Sequence, residues 1–286
     1  MSGKIYCNGN IVDRENAKVD IEDRGYQFAD GVYEVVAFYH GEPFTLNEHM
    51  ERLVFSASEI DIELPPAEIL IKEAKNYIKE TEYADKNAKL YVQVSRGVAS
   101  RSHAYPDGME PIIIMKAGPL DPNPEKYFQE GVKIITLPDE RWSRCYIKSI
   151  ALLPNILAKK KAKKAGAYEA IMTRDGFITE GSSSNIFIVE DETIITPPAT
   201  NYILNGITRQ TVINRLAPEL NYEVKEESIP YYTLLNTDQV FLTGTTTEIM
   251  PVVQINDKVV GNGKVGKETK EIFEAFRELT GFVRGK

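Results

Sequence analysis

Arg144–Pro154, RCYIKSIALLP, sets one lysine, Lys148, between Ile147 and Ser149 just ahead of an apolar run. Lysines are mostly solvated, so the default reading is a surface residue interrupting a strand end. The other reading is an amine held indoors as a nucleophile, its pKa lowered by burial and cationic neighbours until it can form a Schiff base. Lys148 alone does not choose between them; the residues elsewhere in the chain do.

The composition admits an enzyme of ordinary size. The 286 residues suffice for one large domain or two moderate ones. With 42% hydrophobic and 27% charged residues the chain reads as globular. A net charge of −8 gives no overall attraction to nucleic acid or anionic membrane. The run Lys159, Lys160, Lys161, Lys163 and Lys164 reads as a solvated helix face near a C-terminus, where cations are favourable. No apolar run reaches membrane-spanning length. The opening stretch MSGKIYCNGNIV has no signal-peptide core. Two cysteines, Cys7 and Cys145, and three histidines, at 40, 49 and 103, show no metal-ligand spacing. A cytoplasmic, disulfide-free protein without nucleic-acid, membrane or metal partners is expected.

Outward from Lys148, the patterns predict an α+β chain. KIYCNGNIV reads as a hairpin around Asn8-Gly9-Asn10, and GVYEVVAFYHGEPF as two strands turning at His40-Gly41. A helix is expected from an Asn47 N-cap, with Met50, Leu53, Val54, Ala57 and Ile60 at helical spacing. Pro65-Pro66 opens another, with Ile69, Leu70, Ala74, Tyr77 and Ile78 on one face. GPLDPNPEKY, rich in proline, is the best linker. It separates a small N-terminal domain, 1–120, from a larger one, 121–286. In the second, a helix over about 152–165 precedes hairpins at Asp175-Gly176 and in NIFIVEDETIITP.

A Schiff-base lysine points to pyridoxal phosphate, which also needs an anion for its ring nitrogen and a cradle for its phosphate. ITEGSSSNIF puts Glu180 at a strand end; read alone, it is a turn of small polar residues. YILNGITRQTV puts Gly206, Ile207 and Thr208 at a helix start, where free N–H groups attract anions. FLTGTTTEIMP puts Gly244, Thr245, Thr246 and Thr247 just after a strand, in a turn whose hydroxyl and N–H groups suit phosphate. Arg52, in NEHMERL, lies off the apolar stripe of its helix, as a phosphate-binding or a solvated arginine would. Arg101 and His103, in SRGVASRSHAYPD, are spaced to clasp a carboxylate, or decorate a surface loop. Tyr33 is expected half-buried on a strand.

Taken together and in this order, DRGYQFADGVYEVV, NEHMERL, IKS, TEGSSSNIF, LNGITR and TGTTTEIMPV resemble the fold-type IV pyridoxal-phosphate aminotransferases over essentially the whole length. SRGVASRSHAYP resembles the carboxylate-binding loop of the D-amino-acid aminotransferases among them. The resemblance implies a two-domain α+β fold, with a small N-terminal α/β domain and a larger C-terminal domain containing a pseudo-barrel. It implies that Lys148 joins the cofactor and moves the proton, and that Glu180 bonds the ring nitrogen. Arg52, Ile207, Thr208 and Thr245 would hold the phosphate, Leu204 would support the ring, and Tyr33, Arg101 and His103 would trap the substrate carboxylate. In the family the Arg–His loop reaches in from a neighbouring subunit, so a homodimer is implied. Gly244 departs from relatives with serine there, which removes one polar contact near the phosphate. The implied reaction is ping-pong transfer of the amine from a D-amino acid such as D-alanine to 2-oxoglutarate. The alternatives are L-branched-chain transamination or another reaction of the same fold, aminodeoxychorismate lyase or (R)-amine transaminase.

Overall fold

The structure, a computed structural model, describes residues 3–281. The chain divides into two units. The first runs to Asp121 and includes Ile147–Ala151; the second comprises Pro122–Tyr146 and Leu152 onward. The division differs from the expected 1–120 and 121–286 in one instructive way: the segment carrying Lys148 belongs to the first unit. Backbone bonding is the reason. Tyr33 N donates to the Lys148 carbonyl (2.9 Å) and Ile150 N to that of Gly31 (3.1 Å).

The first unit is built on a six-stranded antiparallel sheet: β1 (Lys4–Cys7), β2 (Asn10–Asp13), β3 (Gly31–Tyr39), β4 (Glu42–Pro43), β5 (Ala88–Ser95) and β6 (Ile112–Pro119), in the order β2-β1-β6-β5-β3-β4. Its first hairpin turns at Asn8 and Gly9, both at positive φ (42° and 83°), the backbone that a tight turn of matching twist demands. Helices α1 (Arg24–Phe28), α2 (Leu46–Ser58) and α3 (Ala67–Lys79) complete the unit. Asn47 is not the N-cap of α2. Thr45 is, in the left-handed region (φ 54°) and without a side-chain cap, so the helix begins one residue ahead of Asn47. On α3, Leu70, Ala74, Tyr77 and Ile78 are buried, whereas Ile69 in the first turn faces outward at 46% exposure. Met50, Leu53 and Ala57 of α2 join Val36, Leu90, Val92 and Met115 among the fully buried core residues.

The second unit contains a nine-stranded mixed sheet of β7 (Val132–Pro138), β8 (Glu169–Arg174), β9 (Phe177–Gly181), β10 (Asn185–Glu190), β11 (Thr193–Thr196), β12 (Val224–Glu226), β13 (Gln239–Gly244), β14 (Glu248–Ile255) and β15 (Lys258–Val259). The order is β12-β11-β10-β13-β14-β7-β8-β9, with β15 on β14. Ile134, Ile171, Ile186, Ile188, Leu242 and Met250 of its central strands form the centre of the core. A helix over Leu153–Lys164 carries the lysine run on its exposed side. No described helix is long and apolar enough to cross a membrane.

Candidate active site

In the first unit, β3 and the Lys148 segment run together. Lys148 was expected at a strand end; it lies in irregular backbone beside a single bridge between Val32 and Ser149. Lys148 N donates to Ser56 Oγ of α2 (3.2 Å), so strand and helix together fix this segment. The side chain is half-buried, with Nζ 4.5 Å from the centre of the Tyr33 ring. Tyr33 is itself half-buried and leans on Tyr91 of β5.

The neighbour of Tyr33 on β3 points the other way and is fully buried. Glu34 Oε1 accepts from Arg52 Nε (2.6 Å), and Oε2 accepts from Arg52 Nη2 (3.0 Å) and His49 Nδ1 (2.7 Å). His49 and Arg52 stand one turn apart on α2, so a single carboxylate reads one face of that helix. Burial by itself would raise the Glu34 pKa; Arg52, His49 and the field of Lys148 overcome it and hold the carboxyl well below its ordinary range. Burial pushes His49 below its ordinary value against the opposing pull of Glu34, and Arg52 and Lys148 push it further. A neutral imidazole donating from Nδ1 is the consistent form.

Arg101 and His103 lie together on a third part of the unit. The Arg101 guanidinium carbon is 4.4 Å from the Phe28 ring centre, and the His103 ring meets Phe28 edge-on at 5.8 Å. Both side chains are exposed.

In the second unit, Glu180 sits on β9, almost fully buried. Its Oε1 accepts from Arg141 Nη1, and its Oε2 from Asn185 Nδ2 (3.1 Å) and Leu204 N (3.0 Å). Arg141 is shared. It also donates to Asp139 through Nε (2.9 Å) and Nη2 (2.9 Å), and to the Tyr202 carbonyl (3.0 Å). Burial raises the Glu180 pKa, opposed by Arg141 and the Leu204 N–H and reinforced by Asp139. The same burial pushes the Cys145 thiol up to about 11, which leaves it an inert core residue. The serines after Glu180 have a structural job: Ser182, Ser183 and Ser184 all donate to buried Glu169 (2.5, 3.1 and 3.3 Å). Gly181 makes that turn possible, since a Cβ there would lie 2.2 Å from Ser184 Oγ.

Gly206 opens the helix at Ile207–Thr211, and Ile207 and Thr208 are buried in its first turn. Gly206 is also required: its Cβ would meet Asn185 Oδ1 at 2.1 Å, the same asparagine that bonds Glu180 and the Leu204 carbonyl. Asn185 thus ties the Glu180 strand to the helix start. Thr245 is half-buried after β13, and the backbone there turns back from Thr247 N to the Gly244 carbonyl (3.1 Å).

Residues 31–255 match the class IV amino-transferase family. The chain belongs to the class IV aminotransferases. It is 46% identical over 278 residues to a D-alanine aminotransferase of Bacillus licheniformis, covering 96% of each chain. It is 42% identical over 277 residues to that of Staphylococcus haemolyticus, covering 96% of this chain and 97% of the other. In three dimensions the aminotransferase resembles a branched-chain aminotransferase from Thermoproteus uzoniensis with norvaline (TM-score 0.89, 30% identity, 98% and 95% coverage). It also resembles a T.th. branched-chain amino acid aminotransferase with pyridoxamine 5'-phosphate (TM-score 0.90, 26% identity, 98% and 95% coverage). The shared architecture is the two-domain fold-type IV arrangement with a curled, half-barrel sheet.

Like its family, this aminotransferase uses pyridoxal 5'-phosphate. Each unit by itself carries groups of the kinds that cofactor needs: the first a half-buried amine at Lys148 and a guanidinium at Arg52, the second a buried carboxylate at Glu180 and a glycine-opened helix start at Ile207. The single-sequence reading missed Glu34, His49, Arg141, Asp139 and Asn185, which hold these groups. A glutamate inside the apolar run GVYEVVAFY, facing HxxR on the next helix, was the available signal for the first two.

Proposed function

We propose that this enzyme transfers the amino group of D-amino acids, D-alanine among them, to 2-oxo acids such as 2-oxoglutarate, by a ping-pong route, as a cytoplasmic homodimer. When bound, pyridoxal phosphate supplies the electron sink that makes the α-hydrogen of an amino acid removable. Lys148 holds the cofactor through its amine and carries the proton to and from the substrate α-carbon. Glu180 holds the ring nitrogen, and its raised pKa suits sharing a proton with a ring base. Leu204 supports the ring. Arg52 and Thr245, with the N–H groups of Ile207 and Thr208, bind the phosphate. Tyr33, Arg101 and His103 orient the substrate carboxylate, and with it the hand of the amino acid.

The observation that carries the D-specific reading is the exposed pair Arg101 and His103 seated on Phe28. The fold alone is shared with branched-chain enzymes, so the loop, together with the D-alanine aminotransferase relatives, separates the two. Ile21 and Tyr26, 77% and 76% exposed, are apolar surface that a homodimer would cover. Half-reaction spectroscopy with D-alanine, L-alanine and L-leucine tests the reading. Conversion of bound cofactor should be fastest with D-alanine; faster conversion with either L-amino acid would overturn it in favour of the branched-chain alternative.

A further inference from the structure

We propose that Arg24, braced by Asp30, Arg96 and Tyr105, is the positioning residue that shapes the carboxylate-binding loop and so sets the affinity of the enzyme for both of its carboxylate substrates. The inference rests on the reading of Arg101 and His103 given above.

Residues 100–106 have no strand or helix of their own and are exposed. Something outside the loop must therefore give it a shape. Arg24, on α1, is 4% exposed, yet two of its three nitrogens serve this exposed loop. Nη1 donates to the Ser102 carbonyl (2.6 Å) and Nη2 to the His103 carbonyl (3.3 Å). Those carbonyls belong to the two peptide planes that flank His103. Fixing both sets the direction in which the imidazole leaves the chain, and fixes the neighbouring Arg101 with it. The third nitrogen, Nε, donates to Asp30 Oδ2 (2.8 Å), which holds the guanidinium in plane.

Asp30 Oδ2 is shared with a second arginine. Arg96 Nε donates to it at 2.8 Å, while Nη1 and Nη2 reach the Asp61 and Ile60 carbonyls (3.0 and 2.6 Å). The Arg96 guanidinium stacks on Tyr105 at 3.7 Å, and the Tyr105 hydroxyl donates to Asp61 Oδ2 (3.1 Å). Arg96 thus anchors the far end of the loop, as Arg24 anchors its middle. Phe28 links the brace to the working side chains: its ring is 4.7 Å from the Arg24 guanidinium carbon and also carries Arg101 and His103. Taking a guanidinium out of water is costly unless its donors are met. Here they are met by loop carbonyls, an arrangement that only the planar fork of arginine provides; the point charge of lysine cannot span Asp30 and two carbonyls at once.

The test compares Arg24→Lys and Tyr105→Leu holoenzymes with wild type and with Arg101→Ala. For Arg24→Lys, KM for D-alanine and for the oxo-acid acceptor should rise together by about tenfold, with kcat within about threefold, because a loop held loosely loses binding common to ground and transition states. Its cofactor affinity and visible absorbance should match wild type, and amide exchange across 99–106 should accelerate. Tyr105→Leu, at a partly exposed position that leaves Arg24 in place, should raise the same two KM values about threefold, and it carries the test if Arg24→Lys does not fold. Unchanged KM values with a folded variant, or a loss of cofactor affinity in step with KM, would overturn the inference. Arg101→Ala separates the two readings. If it leaves KM unchanged, the assignment of the loop as carboxylate trap has failed; if it raises KM while Arg24→Lys and Tyr105→Leu do not, only the positioning role has failed.

Discussion

Glu34 and Glu180 are both buried carboxylates bonded to an arginine, and they titrate in opposite directions. Glu34 has the fork of Arg52 plus the His49 imidazole, and is held strongly ionised. Glu180 receives one arm of Arg141, whose other donors are taken by Asp139 and the Tyr202 carbonyl, and its pKa is raised. The difference teaches that an ion pair must be judged by how the cation's charge is divided, not by whether an arginine is in contact. Glu34, met by two nitrogens of Arg52 and by an imidazole, is a strut committed to orienting Arg52. A divided pair leaves the carboxylate short of positive charge, which suits a residue meant to receive a further proton or cation.

The largest effect should come from the amine whose charge stands behind the first of these carboxylates. On the role proposed for it, Lys148→Ala removes the proton carrier and should lower steady-state transamination at least about 10⁴-fold. Cofactor should still bind through its phosphate. Turnover near wild type in the absence of added amine would show that Lys148 is not the working lysine. The comparison adds a second readout. Because Lys148 helps hold Glu34 ionised, the alanine variant should gain no resistance to acid below about pH 4.5, where Glu34 begins to protonate.

Glu180→Gln should come next, with a loss of turnover of about 10²-fold at nearly unchanged cofactor affinity. An amide keeps the shape but cannot hold a ring nitrogen protonated. The variant also leaves Arg141 with Asp139, which already binds it at two points, and with the Tyr202 carbonyl, so stability should change little. Undiminished turnover would assign the ring nitrogen to another group. A drop in thermal stability as large as that of a Glu34 variant would erase the distinction between strut and receiver.

Glu34→Gln should have the reverse signature. It removes the charge that faces two nitrogens of Arg52, 11% exposed, and breaking a buried pair from one side costs about 3–5 kcal/mol. Stability of the first unit should fall accordingly, and cofactor affinity should weaken because Arg52 is no longer aimed, while kcat at saturating cofactor falls less than in Glu180→Gln. Calorimetry and cofactor titration would check both. A variant as stable as wild type, with the same cofactor affinity, would show that the pair does not hold Arg52 in place.

The legible parts of the sequence are those with a local physical cause. Turns at Asn8-Gly9 and Asp175-Gly176 need positive φ, and their residue types announce it. The helix start at Gly206 and the strand-end position of Glu180 were likewise local, and the structure has both. Lys148 stood out in the sequence as a candidate amine, but its local structure did not. Its segment is held by strand β3, distant in sequence, so nothing nearby reveals that it stands outside a strand. Asn47 misled for a related reason: the chain leaves β4 through a left-handed Thr45, a backbone choice with no side-chain signature. Glu34, Arg141 and Arg24 stayed hidden because buried polar groups declare themselves only with their partners, and each has its partners in a different stretch of chain.

The smallest and most discriminating effect is on pH dependence, and the two carboxylates should pull it in opposite senses. The folded pKa values of Glu34 and of His49 are depressed from their ordinary 4.5 and 6.5. Each therefore contributes stability that is complete above its ordinary value and is lost as pH falls: from about 6.5 downward for His49, and from about 4.5 downward for Glu34. The folded pKa of Glu180 is raised above 4.5, so it costs stability at neutral pH and returns it as acid protonates the folded carboxyl. In cofactor-free enzyme scanned from pH 7 to pH 4.5, His49 should weaken the fold while Glu180 partly offsets the loss. Glu180→Gln removes the offset, so its Tm should fall more steeply over this window than that of wild type. His49→Asn should flatten the fall. Adding pyridoxal phosphate to wild type should steepen it, because a ring nitrogen held against Glu180 supplies the positive charge that Arg141 divides with Asp139. Parallel profiles for wild type and Glu180→Gln, with and without cofactor, would mean that Glu180 is as firmly ionised as Glu34 and that sharing Arg141 makes no difference.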